Sequence, residues 1–299
     1  MALTKEIWID SIVGNLFPDN SFASRSADHS AFVNNKTVHV PNAGAKPGVI
    51  KGRTSFPASV KSRTDNDLTY EIGEFTTDPF RVPNAETVEL SYDKRESIIA
   101  ASRSALSEAI HNDLIKNWVP TKFDKVMTSG EDSAAHLGGD TPATGNRKSV
   151  TLKDVLAVKK LFDKNNIPAN DRCFLLDYEM YNQLLDSLTA NQYNAFLSAA
   201  DAEKGIIGKL YGFDFYMRSE VLRCKADGSA IATEQAATDS AAGLAWQKDC
   251  VSRALGDTEL FDSAGDPLYY GDVFSALVRA GGKHVRYDSK GVVLLIQGS

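Results

Sequence analysis

The chain has 299 residues, 42% of them hydrophobic and 24% charged, and a formal net charge of −6. This is globular composition, long enough for one to three domains at roughly 100–200 residues each and for a sizeable buried core. The acidic balance excludes a surface that traps nucleic acid everywhere, while leaving room for a local basic patch, and no run of about 18 apolar residues exists to span a membrane.

The opening stretch, MALTKEIWIDSIVGNLF, carries Glu6 and Asp10 within its apolar region, which a secretory signal would not tolerate. Ile9, Ile12, Val13 and Leu16 share one helical face, and PDNSF ends that short helix. Residues 18–36 are irregular and polar. KTVHVPNAGAKPGVIKGR then predicts one short strand followed by an excursion broken by Gly and Pro. From Lys51 to Thr64 there are four basic residues and no acid, and from Asp65 to Asp78 five acids and no base. Leu68, Tyr70 and Ile72 alternate with polar neighbours, so the acidic limb is a strand with one buried face, and TDND marks a turn between the limbs. The whole segment is a long hairpin-like arm. A two-stranded ribbon is at best marginally stable alone in water, so this arm needs something to lie on.

After DPFRVPN the texture changes. DKRE at Asp93–Glu96 has the form of a capping box, and Ile99, Leu106, Ile110 and Leu114 stay within one narrow helical face. The spacing predicts a helix over 93–118, stopped before Pro120. Residues 128–149, rich in Gly, Ser and Thr, are expected as a mobile loop. TLKD at Thr151–Asp154 opens a second capped helix with Leu152, Val155, Leu156 and Phe162 inward, and RCFLLD is a buried strand. Met180, Tyr181, Leu184, Leu185 and Leu188 make a third helix. Tyr211, Phe213, Phe215 and Met217 alternate as a strand with one buried face, and residues 225–240 are expected as an exposed loop. GLAWQKDCVSRA returns as a strand. The tail, DVFSALVRAGGKHVRYDSKGVVLLIQ, is expected as strand, bend, strand, strand.

The chain carries no catalytic, cofactor-binding or metal-ligating signature. GDTPATGNRKS has the wrong spacing for a phosphate loop and follows no buried strand; GIIGKLYG precedes a strand instead of following one. Cys173, Cys224 and Cys250 form no CxxC pair and are expected as buried hydrophobes in a reducing compartment. The five histidines form neither HxxxH nor HExxH; His39 falls on the polar face of a strand, and His111 is expected to face solvent. Asp65 and Asp67 pair as carboxylates, yet they sit on a polar hairpin tip without the shaped, desolvated pocket that acid chemistry needs.

This order of elements resembles the major capsid protein of tailed bacteriophages, the HK-type capsid fold that encapsulin shells share. The strings RTDNDLTYEIGEFTTDP, ELSYDKRES and YYGDVFSALVRAGGKHVRYDSKGV are similar to phage capsid sequences. The resemblance implies an α+β chain with an N-terminal arm (1–36), an extended β-hairpin loop (37–84) and a peripheral domain (85–149) with a spine helix (93–118). A mixed α/β axial domain (150–255) and returning peripheral strands (256–299) would follow. It implies a non-enzymatic shell protein, without cofactor. Such a subunit assembles into pentamers and hexamers of an icosahedral capsid around double-stranded DNA contacted non-specifically. Its partners would be copies of itself, with scaffolding and portal proteins, and its location the virion, after assembly in the host cytoplasm. No scaffold-like helical segment precedes the arm, so a separate scaffolding protein, or none, is expected. The Lys–Asn cross-link of some members cannot be placed, since Lys51 and Lys61 lie in the loop but no partner Asn or catalytic Glu matches. An encapsulin-like compartment and a cytosolic α/β enzyme are the alternatives.

The candidate functional surface is the sign-segregated arm. Lys51, Arg53, Lys61 and Arg63 on one limb and Asp65, Asp67, Glu71 and Glu74 on the other are expected at an interface between subunits, where charge sets register. Pairing within one hairpin, or simple solvation, is the other outcome of the same pattern.

Overall fold

The computed structural model describes residues 22–298 apart from 34–35, 45, 47, 55, 58–59, 61, 84–92, 135–142 and 234–235. The N-terminal helix expected on Ile9–Leu16 lies outside the described residues. In chain order, β1 (Ala27–Asp28), β2 (Thr37–Asn42), β3 (Asn66–Glu71), β4 (Gly73–Thr76) and β5 (Phe80–Pro83) precede a long helix, α1 (Asp93–Trp118). β6 (Asp124–Met127), β7 (Asp132–Ala134) and β8 (Asn146–Lys148) lead to α2 (Leu152–Lys164), β9 (Arg172–Asp177), α3 (Tyr178–Asp186) and α4 (Ala190–Ser198). Then come β10 (Gly208–Leu210), β11 (Phe213–Arg218), β12 (Leu222–Cys224), β13 (Ser240–Gln247), β14 (Val251–Asp266), β15 (Gly271–His284) and β16 (Val292–Ile296).

Two sheets organise the molecule. A 7-stranded mixed sheet runs β10-β11-β9-β13-β16-β6, with β12 on β13. Its strands are apolar on both faces because both faces are covered. On one side Leu175, Tyr216, Leu244, Trp246 and Leu294 pack with the end of α1; on the other Phe174, Phe213, Phe215, Val293 and Leu295 pack with α2, α3 and α4. The sequence alternation on β11 was expected to bury one face only. Instead Phe213, Asp214, Phe215 and Tyr216 are all buried, Tyr211 sits in a turn at φ 51°, and Met217 is exposed. A central strand in a doubly covered sheet has no solvent face to mark.

A 5-stranded sheet runs β1-β14-β15-β4, with β5 on β15. Its length comes from the β14–β15 hairpin, whose strands have 16 and 14 residues. Leu106 and Ile110 of α1 pack on Leu260, Ala276, Val278 and Ala280 of this sheet. One turn further, Leu114, Ile115 and Trp118 enter the core of the 7-stranded sheet. α1 therefore joins the two cores. Close approach is allowed by Gly282, where an added Cβ would stand 2.3 Å from both Leu114 Cδ1 and the Ser252 carbonyl oxygen. The Trp118 indole N–H donates to that same carbonyl at 2.8 Å. The capping box expected at Asp93 and Glu96, and the inward Ile99, involve side chains outside the described set.

Several expectations change. β16, expected among returning peripheral strands, lies in the 7-stranded sheet between β13 and β6. GLAWQKDCVSRA is not one strand: a 3-10 turn at Lys248–Cys250 separates β13 from β14, and the two belong to different sheets. Of the strand, bend, strand, strand expected in the tail, the first part is one uninterrupted strand, because β15 continues through Gly281 and Gly282 to His284. The capping box of α2 forms at Thr151 and Asp154, but Val158 is buried where Leu152 and Leu156 are only half-buried. α4, capped by Thr189 and Gln192, was missed in the sequence, although T-x-x-Q is a capping-box pattern.

The stretches 128–149 and 225–240, expected as loops, are tied together. β7 pairs with β8, and the buried Arg147 donates to Ser240 Oγ (3.1 Å) and to the carbonyls of Thr238 (2.9 Å) and Asp239 (3.3 Å). His111 is buried, not solvent-facing, with its ring 5.4 Å from that of Phe22. All three cysteines are free and buried.

Candidate interface

The arm expected to lack a core has one at its root. β2 and β3 pair in register from Thr37↔Glu71 to Asn42↔Asn66, and Val38, Tyr70 and Ile72 pack on Ala254 of β14. Val38, Tyr70 and Ile72 are β-formers at alternate positions, so they face the same side and find the same neighbour. Asn42 fixes the end of this ribbon: its side-chain amide donates to the Val285 carbonyl at 2.9 Å and its Oδ1 accepts from the Tyr287 N–H at 3.2 Å. Beyond Asn42 the chain leaves the sheets. The described residues of 43–65 contain no helix or strand, and Val49, Ile50, Phe56 and Val60 are 92%, 61%, 76% and 98% exposed.

The candidate interface residues separate into two groups. Lys51 is exposed and Arg53 half-buried on the distal part of this loop, while Lys61 lies outside the described residues. Arg63 forms a two-pronged pair with Asp65 (2.6 and 2.8 Å), and Asp65 also accepts from the Gly44 amide at 2.9 Å. These bonds close the loop's neck and hold the Asp65 carboxyl below its ordinary range, Arg63 contributing most. Asp67 meets His39 across the ribbon at 2.8 Å. Glu71 is exposed opposite Thr37. Glu74 accepts from Lys36 (2.5 Å) and Arg279 (3.1 Å), which keep its carboxyl low. The arm's acids at Asp65 and Glu74 therefore have partners in their own chain. The basic limb, at Lys51 and Arg53, projects with apolar side chains beside it.

The tip of the β14–β15 hairpin exposes apolar side chains as well. It carries Leu268, Tyr269 and Tyr270 at 82%, 53% and 76% exposure, with Phe261 at 47% just behind. Gly265 and Tyr270 take positive φ of 66° and 49° to make the turn. Composition alone did not mark this surface, because Leu, Tyr and Phe next to a strand read as core.

The N-terminal segment contributes an anchor that sequence reasoning missed. Phe22 and Ala23 enter the core, the Trp246 indole donates to the Arg25 carbonyl at 2.8 Å, and Arg253 donates to the Ala23 carbonyl at 2.6 Å. Arg25 pairs with Asp214, and Asp214 also meets Lys209 at 3.1 Å. Among the described residues no cluster of three or more His, Cys, Asp or Glu could hold a metal ion, and no helix is long and apolar enough to cross a membrane.

No family model matches the chain, and no curated protein does. Solved structures do. The capsid of Ralstonia phage GP4 is similar at a TM-score of 0.64 and 12% identity, over 96% of this chain and 91% of that one. The capsid of cyanophage P-SCSP1u is similar at 0.63 and 16% identity, over 94% and 89%. A virus-like particle from Pyrococcus furiosus is similar at 0.59 and 11% identity, over 98% and 99%. The chain has the α+β HK-type capsid fold.

Proposed function

We propose that this protein is the structural subunit of an icosahedral phage capsid, self-assembling through pentamers and hexamers into a shell around double-stranded DNA. The observation that carries the reading is the loop 43–65. It extends from a well-packed root and presents Val49, Ile50, Phe56 and Val60 to solvent within its own chain. Ordering such a segment costs roughly 1–2 kcal/mol per residue in backbone entropy, so its stable form needs burial on a neighbour. The whole-chain likeness to capsid subunits agrees with this. A scaffolding protein and a portal are proposed partners, the virion the proposed location and the host cytoplasm the proposed place of assembly. The arm's basic limb is proposed as a contact between subunits, and no catalytic role is proposed.

Electron microscopy of the expressed protein tests the reading. Closed icosahedral particles are expected. A small closed oligomer at all concentrations and salt conditions would overturn it. Particles filled with a protein cargo and free of nucleic acid would favour the compartment-shell alternative.

A further inference from the structure

We propose that the cleft where the two sheets join is a binding site for a small organic monocarboxylate. Both connections between the sheets line it. The 3-10 turn at Lys248–Cys250 carries β13 into β14, and residues 285–291 carry β15 into β16. The two connections are bonded to each other: the Val285 N–H donates to the Cys250 carbonyl at 2.8 Å, and the Gln247 N–H to the Gly291 carbonyl at 3.1 Å. Gly291, at φ 88°, lies so close that an added Cβ would stand 2.3 Å from Cys250 Sγ. The chain after α2 adds Ile167 and Pro168, and the start of the 43–65 loop adds Lys46. The cleft holds about 340 Å³, within the roughly 300–1,000 Å³ of small-molecule sites.

The lining sets the chemistry of the ligand. Ile167, Pro168 and Cys250 are apolar, and Ile167 and Cys250 are buried. The charged lining is Lys46, Arg286 and Lys290 with Asp249 and Asp288, a net charge of +1. Asp288 is already engaged: Arg286 grips it through Nε and Nη2 at 2.8 and 2.7 Å, and Lys290 stands 3.9 Å away. That grip fixes the guanidinium and leaves its Nη1 hydrogens for another acceptor. Asp249 accepts from the side-chain amide of the buried Gln247 at 3.2 Å, and that amide nitrogen carries a second hydrogen. The cleft therefore offers donors on Lys46, Arg286, Lys290 and Gln247. One monoanion neutralises the lining. A phosphate dianion would leave it negative, and a cation would add to its excess. A carboxylate on a compact apolar body answers the charge, the donors and the apolar wall together. Such an occupant ties the start of the loop, through Lys46, to the crossing between the sheets. The site lies within one chain, so it stands or falls separately from the shell reading.

Isothermal titration of the full chain with benzoate tests the site. Saturable binding of one benzoate per chain is expected, with no binding of benzamide, an uncharged molecule of nearly the same shape, and weaker binding of phenyl phosphate. Lys46→Gln and Lys290→Gln alter exposed side chains, so the fold is retained, which thermal unfolding verifies. Each should weaken benzoate binding about tenfold, the scale of one charge-assisted hydrogen bond. No saturable binding of benzoate, or equal binding of benzamide, would overturn the site. Full affinity in the Lys46→Gln/Lys290→Gln double variant would place the ligand elsewhere and overturn it too. Tighter binding of phenyl phosphate than of benzoate would overturn the assignment to a monocarboxylate.

Discussion

His111 is the buried titratable group with the clearest consequence. Its ring lies against Phe22, and burial, reinforced by the nearby Arg218 cation, pushes its pKa from 6.5 down to about 4. Ser107 on the same helix turn is its polar neighbour at 3.3 Å. A histidine that resists protonation in the folded state leaves the unfolded chain holding more protons between pH 4 and 6.5. Stability is therefore full above about pH 6.5 and declines as pH falls towards 4, by up to ~3 kcal/mol. His29 and His284, both shifted down chiefly by burial, act in the same direction. His111→Gln should flatten part of this slope. Thermal unfolding of both proteins at pH 7 and pH 4.5 measures it, and parallel losses would mean that His111 is not the group responsible. The sequence placed this histidine towards solvent because Ile110 beside it fixed the inward face. What it lacked was Phe22, about ninety positions away, which covers that side of the helix.

α1 was legible in the sequence because a long amphipathic helix repeats its signal over many turns, and Leu106, Ile110 and Leu114 each sample the same face. That it serves two cores was not legible, since nothing in the spacing separates Leu106 from Leu114. Two substitutions probe the two halves. Leu106→Ala should cost on the order of 2–5 kcal/mol in the core under the 5-stranded sheet. It should yield insoluble or misfolded protein, not soluble subunits that merely assemble poorly. Gly282→Ala places a Cβ against a backbone carbonyl that cannot turn aside, an overpacking of typically ~1–3 kcal/mol. Denaturant midpoints read both, and an unchanged midpoint for Gly282→Ala would mean that α1 does not press on β15. The opposite limit is Arg147. In the sequence it sits in a Gly/Thr-rich stretch that reads as mobile, while its five-donor fork is what ties that stretch to residues 238–240. Partners supplied by tertiary structure leave no local pattern. The same holds at the surface: the basic limb was visible as a charge run, but the hairpin tip's exposed aromatics were indistinguishable from strand core.

For the whole molecule the contrast lies between a packed body and a projecting loop. In free subunits trypsin should cut after Lys51 and Arg53 well before the body is touched, and assembly should protect both sites. Equal protection in the two states would count against the shell reading. Contacts between charged segments should also weaken with salt, as the screening length shrinks from ~10 Å at 0.1 M to ~3 Å at 1 M. Assembly followed by light scattering across that range should slow if the basic limb meets opposite charge on a neighbouring subunit. If the Arg63–Asp65 neck and the Glu74 pairs were all the arm's charges did, assembly would be nearly insensitive to salt. One geometric feature reaches further. The loop's root and the hairpin tip stand at opposite ends of β15, so a contact that the loop makes on a second copy joins two different surfaces. Heterologous joints of this kind never saturate in a pair, because every added copy uses one half and brings a new one. An open row of copies always keeps one half-joint free at each end; only closure, into a ring or a shell, uses them all, which makes an incomplete assembly a growing one.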